Sequence, residues 1–447
     1  MDTSQSTCSS SLIGCFSLAV FLNASAVNAA GQPEFESQTI DDSIKIGYGL
    51  AIEDVNGDGR KDILLADAHQ IAWYENPSWT KHIMTEKLTE RDHVCIAARD
   101  LDGDGKAEVA VGAGWNPGDT ENSGSVHYLM PPQDLRKKWT PIKLPNEPTV
   151  HRMHWAENWR GDWDLVVLPL HGRGNKGGKG DGVKMLAYTK PENPKTEWPT
   201  RLINGDLHMT HNFDVTQWDD DTTEEFLIAG REGVFASNWV AGAMKLHTIG
   251  NDQGGGAGEV RSGKLPDGKR FVTSIEPMHG SSVVVYTQSD SNLNGTWKRH
   301  VIEDKLKDGH AVACADLLGT GSDQIIVGWR AMRNSGAPVG IKLYTASKPD
   351  GSEWEASSID DNQMACEDLK VADLNGDGKT RHHCGRPQNQ ECHHLLEPTL
   401  KRCHTALFSE TNGESFTNSS RQTHAPRVQA ANGIRRTASV YPASGGD

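Results

Sequence analysis

One turn pattern, D-x-[DN]-G-D-G-x-x-[DE], recurs along the chain and constrains its fold more than any other feature. Two copies are intact, DVNGDGRKDILLA from Asp54 and DLDGDGKAEVAVG from Asp100, and a third, DLNGDGK from Asp373, is cut short. DLLGTGSDQIIVG from Asp316 keeps the frame and loses acidic side chains, and degenerate copies lie near Asp164, from Asp214 and near Asp267. Seven units at intervals of about 50 residues mark a repeat architecture, in which each unit buries its apolar face only against its neighbours.

Every unit has the same strand layout. An alternating strand (LAIED, VCIAARD, AVACAD) precedes the turn and an apolar strand (ILLAD, VAVGAG, IIVGW) follows it. A third strand comes next (IAWYENP, GSVHYLMPP, GIKLYTAS), then a Trp-rich turn and a fourth (WTKHIMTE, WTPIKLP, WKRHVIED). The expectation is an all-β, seven-bladed β-propeller of four-stranded blades over residues 33–379. The fourth-strand pattern also appears once before the first turn, as FESQTIDD from Phe35. That strand is predicted to complete the last blade and so remove an exposed sheet edge.

Both ends read differently. Leu12 to Leu22 is a short apolar run followed by small residues up to Ala30, so 1–30 reads as a secretory signal peptide, although Met1 to Ser11 lacks Lys and Arg. The predicted location is secreted or periplasmic. After Lys379 the blade pattern breaks into TRHHCGRPQNQECHHLLEPTLKRC. Read one base later, degenerate codons for Thr-Arg-His-His can give Pro-Asp-Ile-Ile, and Cys392 to Glu397 can give the missing third strand. Residues 380–447 are therefore expected to be a disordered frameshift product, against a zinc-binding tail. Cys95, Cys314 and Cys366 each sit in an apolar run and read as small buried hydrophobes rather than a disulfide framework.

Composition removes other classes. The formal net charge is −15, from 45 Lys+Arg against 60 Asp+Glu, which excludes the dense cationic face of a nucleic-acid binder. Mean hydropathy is −0.58, and no apolar run approaches the roughly 20 residues that a membrane span needs.

The turn pattern places side-chain oxygens at positions one, three, five and nine, a spacing that wraps a hard Ca²⁺ ion. The predicted calcium sets are Asp54, Asn56, Asp58, Asp62 and Asp100, Asp102, Asp104, Glu108, with a partial set Asp373, Asn375, Asp377. An EF-hand would need flanking helices and a Glu at position twelve, and neither is present. On these residues the chain resembles the FG-GAP/VCBS propeller repeat family.

Strand direction gathers the histidines. The start of the first strand and the end of the second share the end of the blade opposite the acidic turn. His93, His151, His154, His208, His211 and His310 fall at the former, and His69, His171 and His279 at the latter, with Arg231 and Arg330 equivalent in other blades. Imidazoles near neutral pH serve as general bases or zinc ligands, and Arg holds a carboxylate or enolate oxygen. EPTVHRMHW, PLHGRGN, LHMTHNFDV and IAGREGV resemble the propeller domain of the aldos-2-ulose dehydratases. The grouping of His151, His171 and Arg231 is similar to that of propeller-fold ulvan lyases. The resemblance implies elimination beside a carbonyl or carboxylate of a sugar, and the dehydratase likeness implies a zinc ion in the propeller cleft. The expected roles are His151 or His171 as base, Arg231 or zinc at the enolate oxygen, and His211 as acid. His208, His279 and His310 are the zinc candidates.

Two function classes stand: a carbohydrate-active lyase or dehydratase, and a non-catalytic calcium-binding propeller that binds glycans or proteins. The crowded histidine mouth favours the first, and the expected partner is a sugar or anionic polysaccharide, with no nucleic acid and no membrane span. Sequencing the gene across the Lys379 codon should reveal a shifted frame; a clean frame through Asp447 contradicts the frameshift.

Overall fold

A computed structural model describes residues 23–27, 33–376 except 220, 252–254, 289–292, 294 and 332–335, and the strand Thr405–Ser409. The described residues form strands and turns, with no α-helix among them. Six four-stranded antiparallel sheets open on Gly49–Glu53, His93–Arg99, Val150–Glu157, Thr210–Thr216, Glu259–Lys264 and Gly309–Ala315, and their strands are paired in chain order. These opening strands are the innermost, and each lies beside the next. A further inner strand, Cys366–Val371, lies between Gly309–Ala315 and Gly49–Glu53. The architecture is that of an all-β propeller, as the repeats predict.

The second strands explain how the sheets stack. Ile63, Leu64 and Leu65 are consecutive and fully buried, so both faces of Asp62–Asp67 are covered by neighbouring apolar surface. Ile325, Ile326 and Val327 behave alike. The fourth strands, such as Thr140–Leu144, alternate toward solvent. Trp139 and Trp198 of the Trp-rich turns are buried in the packing between sheets.

The acidic turns are internally braced. The Asp54 carboxylate accepts from Gly57 N–H and Gly59 N–H, both at 2.7 Å. Those glycines sit at φ 79° and 82°, the left-handed region that L side chains avoid. The ninth position holds the turn to the following strand: Asp62 accepts from Val55 N–H at 2.9 Å and Asn76 N–H at 2.8 Å. Glu108 accepts from Leu101 N–H at 3.0 Å and Gln324 from Leu318 N–H at 2.9 Å in the same way.

The two ends depart from expectation in detail. The N-terminal strand is Pro33–Glu36, shorter and earlier than Phe35 to Asp41, and it pairs with Asn23–Val27. Beyond the strand, Asp41 accepts from the Tyr74 hydroxyl and the Lys81 ammonium, both at 2.7 Å. Pro33–Glu36 lies beside Trp354–Asp361, and Phe35 packs on a cluster that includes Ile341, Met364 and Leu369. Cys366–Val371 pairs with Thr405–Ser409 alone, so a complete seventh sheet is not among the described residues. Most of the segments read as signal peptide and frameshifted tail, and Asp377 of the third acidic turn, lie outside the described residues.

The cysteines are packing residues, as expected. Cys95 and Cys366 are buried, and burial pushes the Cys95 thiol up to about 12. Gly328 exists because Cys366 occupies its space: a Cβ there would lie 2.3 Å from Cys366 Sγ and 2.4 Å from Cys366 Cβ. Gly328→Ala should therefore overpack the seam between the sixth sheet and the next inner strand, costing about 1–3 kcal/mol. A urea midpoint equal to the parent's would contradict that packing.

Candidate functional site

The site is built by a defect repeated in register. In four of the six four-stranded sheets the inner strand carries one extra residue near its start, opposite an unbroken second strand; in the second sheet it is the buried Val94, and in the other three it is a histidine. Val150 and Arg152 pair with Pro169 and Leu168, Thr210 and Asn212 with Gly230 and Ala229, and Gly309 and Ala311 with Trp329 and Gly328. The skipped residues are His151, His211 and His310. A bulge of this kind re-aims one side chain out of the alternation, and here all three are aimed at one mouth of the propeller.

Each bulged imidazole is then fixed by the following inner strand. Nδ1–H of His151 donates to His211 O at 2.7 Å, that of His211 to Gly258 O at 2.8 Å, and that of His310 to Glu367 O at 2.7 Å. Because a carbonyl only accepts, Nδ1 must carry the proton and Nε2 is left with its lone pair. Burial pushes all three imidazoles well below their usual range, so they are neutral at physiological pH.

His279 joins them from the connection after the second strand of the fifth sheet. Its backbone is held at φ 54°, its side chain is 38 % exposed, and its Nε2 lies 2.6 Å from His211 Nε2. One nitrogen from each of His211, His279 and His310 lies within 4.8 Å of the others. On the far side of His279, Nδ1 is 3.5 Å from an Arg330 amino nitrogen and 3.7 Å from Asp308 Oδ1. Arg330 is itself buried, pairs with Asp308 at 3.0 Å and donates to Glu367. Thus one guanidinium and two carboxylates support the two outer imidazoles.

This donor set fits zinc. His211 and His310 turn Nε2 lone pairs to the cluster, and His279 donates its Nε2–H to His211 Nε2 at 2.6 Å, a proton whose place a metal would take. Three such nitrogens match a site that keeps a fourth position open, and metal-ligating His typically donates its other N–H to a carbonyl or carboxylate. His211 and His310 donate to carbonyls, and Asp308 stands ready for His279.

The other sequence candidates distribute around this centre. His208 is not part of the cluster: it is 44 % exposed and its Nδ1 lies 3.2 Å from Glu232 Oε1, so His211 replaces it in the triad. His151 lies flat on Trp115, with ring centroids 4.8 Å apart, and edge-on to His211. His171 is buried, its Nδ1 has no hydrogen-bond partner, and burial lowers its pKa. Its backbone bridges Met209, whose carbonyl also accepts from Arg231 N–H at 2.8 Å, so His171, Arg231 and His211 meet along Met209–His211. The Arg231 guanidinium is exposed and donates to Gly177 O. His93 is a core histidine. It lies one position before the extra residue of its strand, so its Nδ1 meets Asp67 O at 3.0 Å and its Nε2 accepts from Leu88 N–H at 3.4 Å. His154 is half-buried, edge-on to Phe213. His69 is exposed near Asp92.

Trp115, Asp308 and Glu367 were not singled out from sequence. Glu367 occupies the strand position of the bulged histidines, so superposing the repeats could have found it; Trp115 and Asp308 sit in irregular connections with no pattern. Of the acidic turns among the described residues, Asp100, Asp102 and Asp104 bring one carboxylate oxygen each within 4.8 Å of one another. Asp62 and Glu108 are turned onto backbone amides, and Asp104 also meets Lys106 at 3.1 Å.

Comparison with known proteins agrees with the repeats. Residues 54–111 match an FG-GAP-like repeat model and residues 96–129 an FG-GAP repeat model. Residues 123–289 match the β-propeller domain model of aldos-2-ulose dehydratase. The chain is 25 % identical over 358 residues to aldos-2-ulose dehydratase from Phanerodontia chrysosporium, covering 72 % of this chain and 38 % of that protein. The chain thus spans little more than a third of that relative's length. Among solved structures it is similar to an Agrocybe aegerita lectin described as recognising non-reducing terminal N-acetylglucosamine, at TM-score 0.45 and 13 % identity, covering 78 % of this chain and 91 % of that one. A chain of a mitotic checkpoint complex matches at TM-score 0.45 and 10 % identity, covering 83 % and 90 %.

The fixed tautomers give a direct expectation. Long-range ¹H–¹⁵N spectra of the metal-free protein should show His151, His211 and His310 protonated on Nδ1 alone, unchanged as pH falls from about 8 to about 5.5, through the ordinary imidazole pKa of about 6.5. An Nε2–H tautomer at any of the three, or titration near pH 6.5, would contradict the geometry.

Proposed function

We propose that the chain is a carbohydrate-active lyase or dehydratase that performs β-elimination next to a sugar carbonyl or carboxylate at this mouth. The observation that carries the reading is the cluster of neutral imidazoles converging on one point, beside a fourth neutral base, His151. A binding surface has no use for that arrangement, whereas proton abstraction beside a carbonyl needs a base that is unprotonated at neutral pH and a stabiliser for the enolate. Likeness to aldos-2-ulose dehydratase over its propeller supports a sugar as substrate.

His151 is the base in this scheme. Its Nε2 takes the proton from the carbon next to the carbonyl, and the imidazolium that forms keeps its Nδ1–H on His211 O. The same Nε2–H then returns the proton to the departing oxygen as the C–O bond breaks, so the double bond forms and the base is restored. The flat contact with Trp115 holds the ring in one plane throughout. Zinc bound at His211, His279 and His310 would supply Lewis acidity toward the carbonyl oxygen. That assignment moves His211 from acid to ligand. His171 and Arg231 flank the centre and would bind the sugar, the exposed guanidinium suiting a carboxylate.

Calcium belongs to the same proposal, at the Asp100, Asp102 and Asp104 turn on the opposite end, with a stabilising role. So does export, with the N-terminal segment as its signal.

The test joins metal analysis to a screen of sugars for new ultraviolet absorbance from conjugated products. His211→Ala should lose both zinc and turnover. His151→Gln should keep zinc and lose turnover by about 10²-fold or more. Zinc-loaded protein that gives no elimination across neutral and anionic sugars, yet binds them, would replace this reading with the glycan-binding one.

A further inference from the structure

In the third sheet, the connection from the second strand, Trp163–Pro169, to the third, Met185–Thr189, lies at the mouth end and opens at His171. It folds back on itself at Lys176, Gly177, Gly178 and Lys179. Lys176 N–H donates to Lys179 O at 2.9 Å and Lys179 N–H to Lys176 O at 3.2 Å, and the two glycines take φ 58° and 78°. Two positive φ values in a two-residue loop are the condition of a type I′ hairpin. The reciprocal pairing puts both lysine side chains on one face of the ladder, where like charges directly opposite are destabilising.

Both lysines are exposed, and neither makes an ion pair among the described residues. Arg173 and Lys184, earlier and later in the same connection, instead share the Glu147 carboxylate. A third cation is packed on the turn. Arg231 donates to Gly177 O, and a Cβ at Gly178 would lie 2.5 Å from its Nη1 and 2.8 Å from its Cδ. It too has no ion pair among the described residues, since the neighbouring Glu232 is engaged by His208 N–H at 2.8 Å. The hairpin is anchored from below by the fully buried Asn175. Its Oδ1 accepts from Gly178 N–H at 2.9 Å, and its Nδ2 donates to Asp181 O and His208 O, both at 3.0 Å. That ties the turn to the segment leading into the bulged His211. Three unpaired cations on a fixed turn, in a chain of net charge −15, are a local reversal of the field.

We propose that Lys176, Lys179 and Arg231 form an anion subsite at the rim of the mouth, taking a carboxylate or sulfate group of a saccharide whose reacting unit sits at the histidines. The proposal rests on the sugar reading of the mouth and narrows it to anionic oligosaccharides. The guanidinium offers a planar fork of donors and the ammoniums two point charges, so the set suits either group. Its anchoring on Asn175 means that little ordering is left to be done on binding.

Calorimetric titration of the metal-free full chain tests this with two matched pairs of probes: trigalacturonate with its methyl ester, and a sulfated galactan oligomer with its desulfated form. At least one charged probe should bind about 10-fold or more tightly than its neutral counterpart, an advantage that shrinks as salt rises. The pair that shows it identifies the group recognised. The double variant Lys176→Gln/Lys179→Gln, which alters exposed side chains only, should lose that advantage and keep the affinity for the neutral probe. Equal affinity or no binding within both pairs, or an advantage that survives in the double variant, would overturn the proposal. With no zinc present, the outcome is separate from the elimination screen: a failed screen leaves the subsite standing, and failure here leaves elimination of neutral sugars untouched.

Discussion

One extra residue in the inner strand, filled by a histidine at the same place in three sheets, is what the rest of the mouth depends on. Without the bulge, the residues at 151, 211 and 310 would follow the strand alternation of their neighbours. With it, each imidazole turns to the mouth and reaches the backbone of the following inner strand. The hydrogen bond made there does two things together. It satisfies a buried N–H that would otherwise be costly, and it decides which nitrogen faces its neighbours. Position, tautomer and protonation state therefore share one cause.

Electrostatics around the cluster follow from that arrangement. Buried imidazoles avoid charge, so the mouth could collect four of them without repulsion. The charged groups stand one layer back, where Arg330 bridges Asp308 and Glu367. Glu367 thus helps at two points, through its carbonyl on His310 and its carboxylate on Arg330. His279 differs in being partly exposed and in having its backbone at a positive φ, and it is the member of the cluster that meets solvent. Strain of this kind is held where the surroundings over-determine it.

The repeat spacing made the all-β architecture legible, because the turn pattern and the Trp-rich turns recur whatever their local decay. It also placed the histidines at the correct end, since strand direction follows from the turn. Which of them converge was not legible. His208 and His211 are three residues apart and look equivalent in sequence, yet only His211 is the bulged residue, while His208 meets Glu232 in the preceding connection. A bulge leaves no mark in composition or period, and only pairing with the second strand exposes it. The ninth turn position has a second role that the spacing does not announce: Asp62 and Glu108 accept from backbone amides, and Gln324 does the same without charge.

The central claim is that His211, His279 and His310 together hold a divalent metal. Zinc-edge X-ray absorption on the full chain loaded with one equivalent of zinc tests it most directly. The account predicts three imidazole nitrogens at about 2.0–2.1 Å and one further light-atom ligand, with the imidazole signature lost in His211→Ala. A first shell of oxygens, or an unchanged spectrum in that variant, would contradict it.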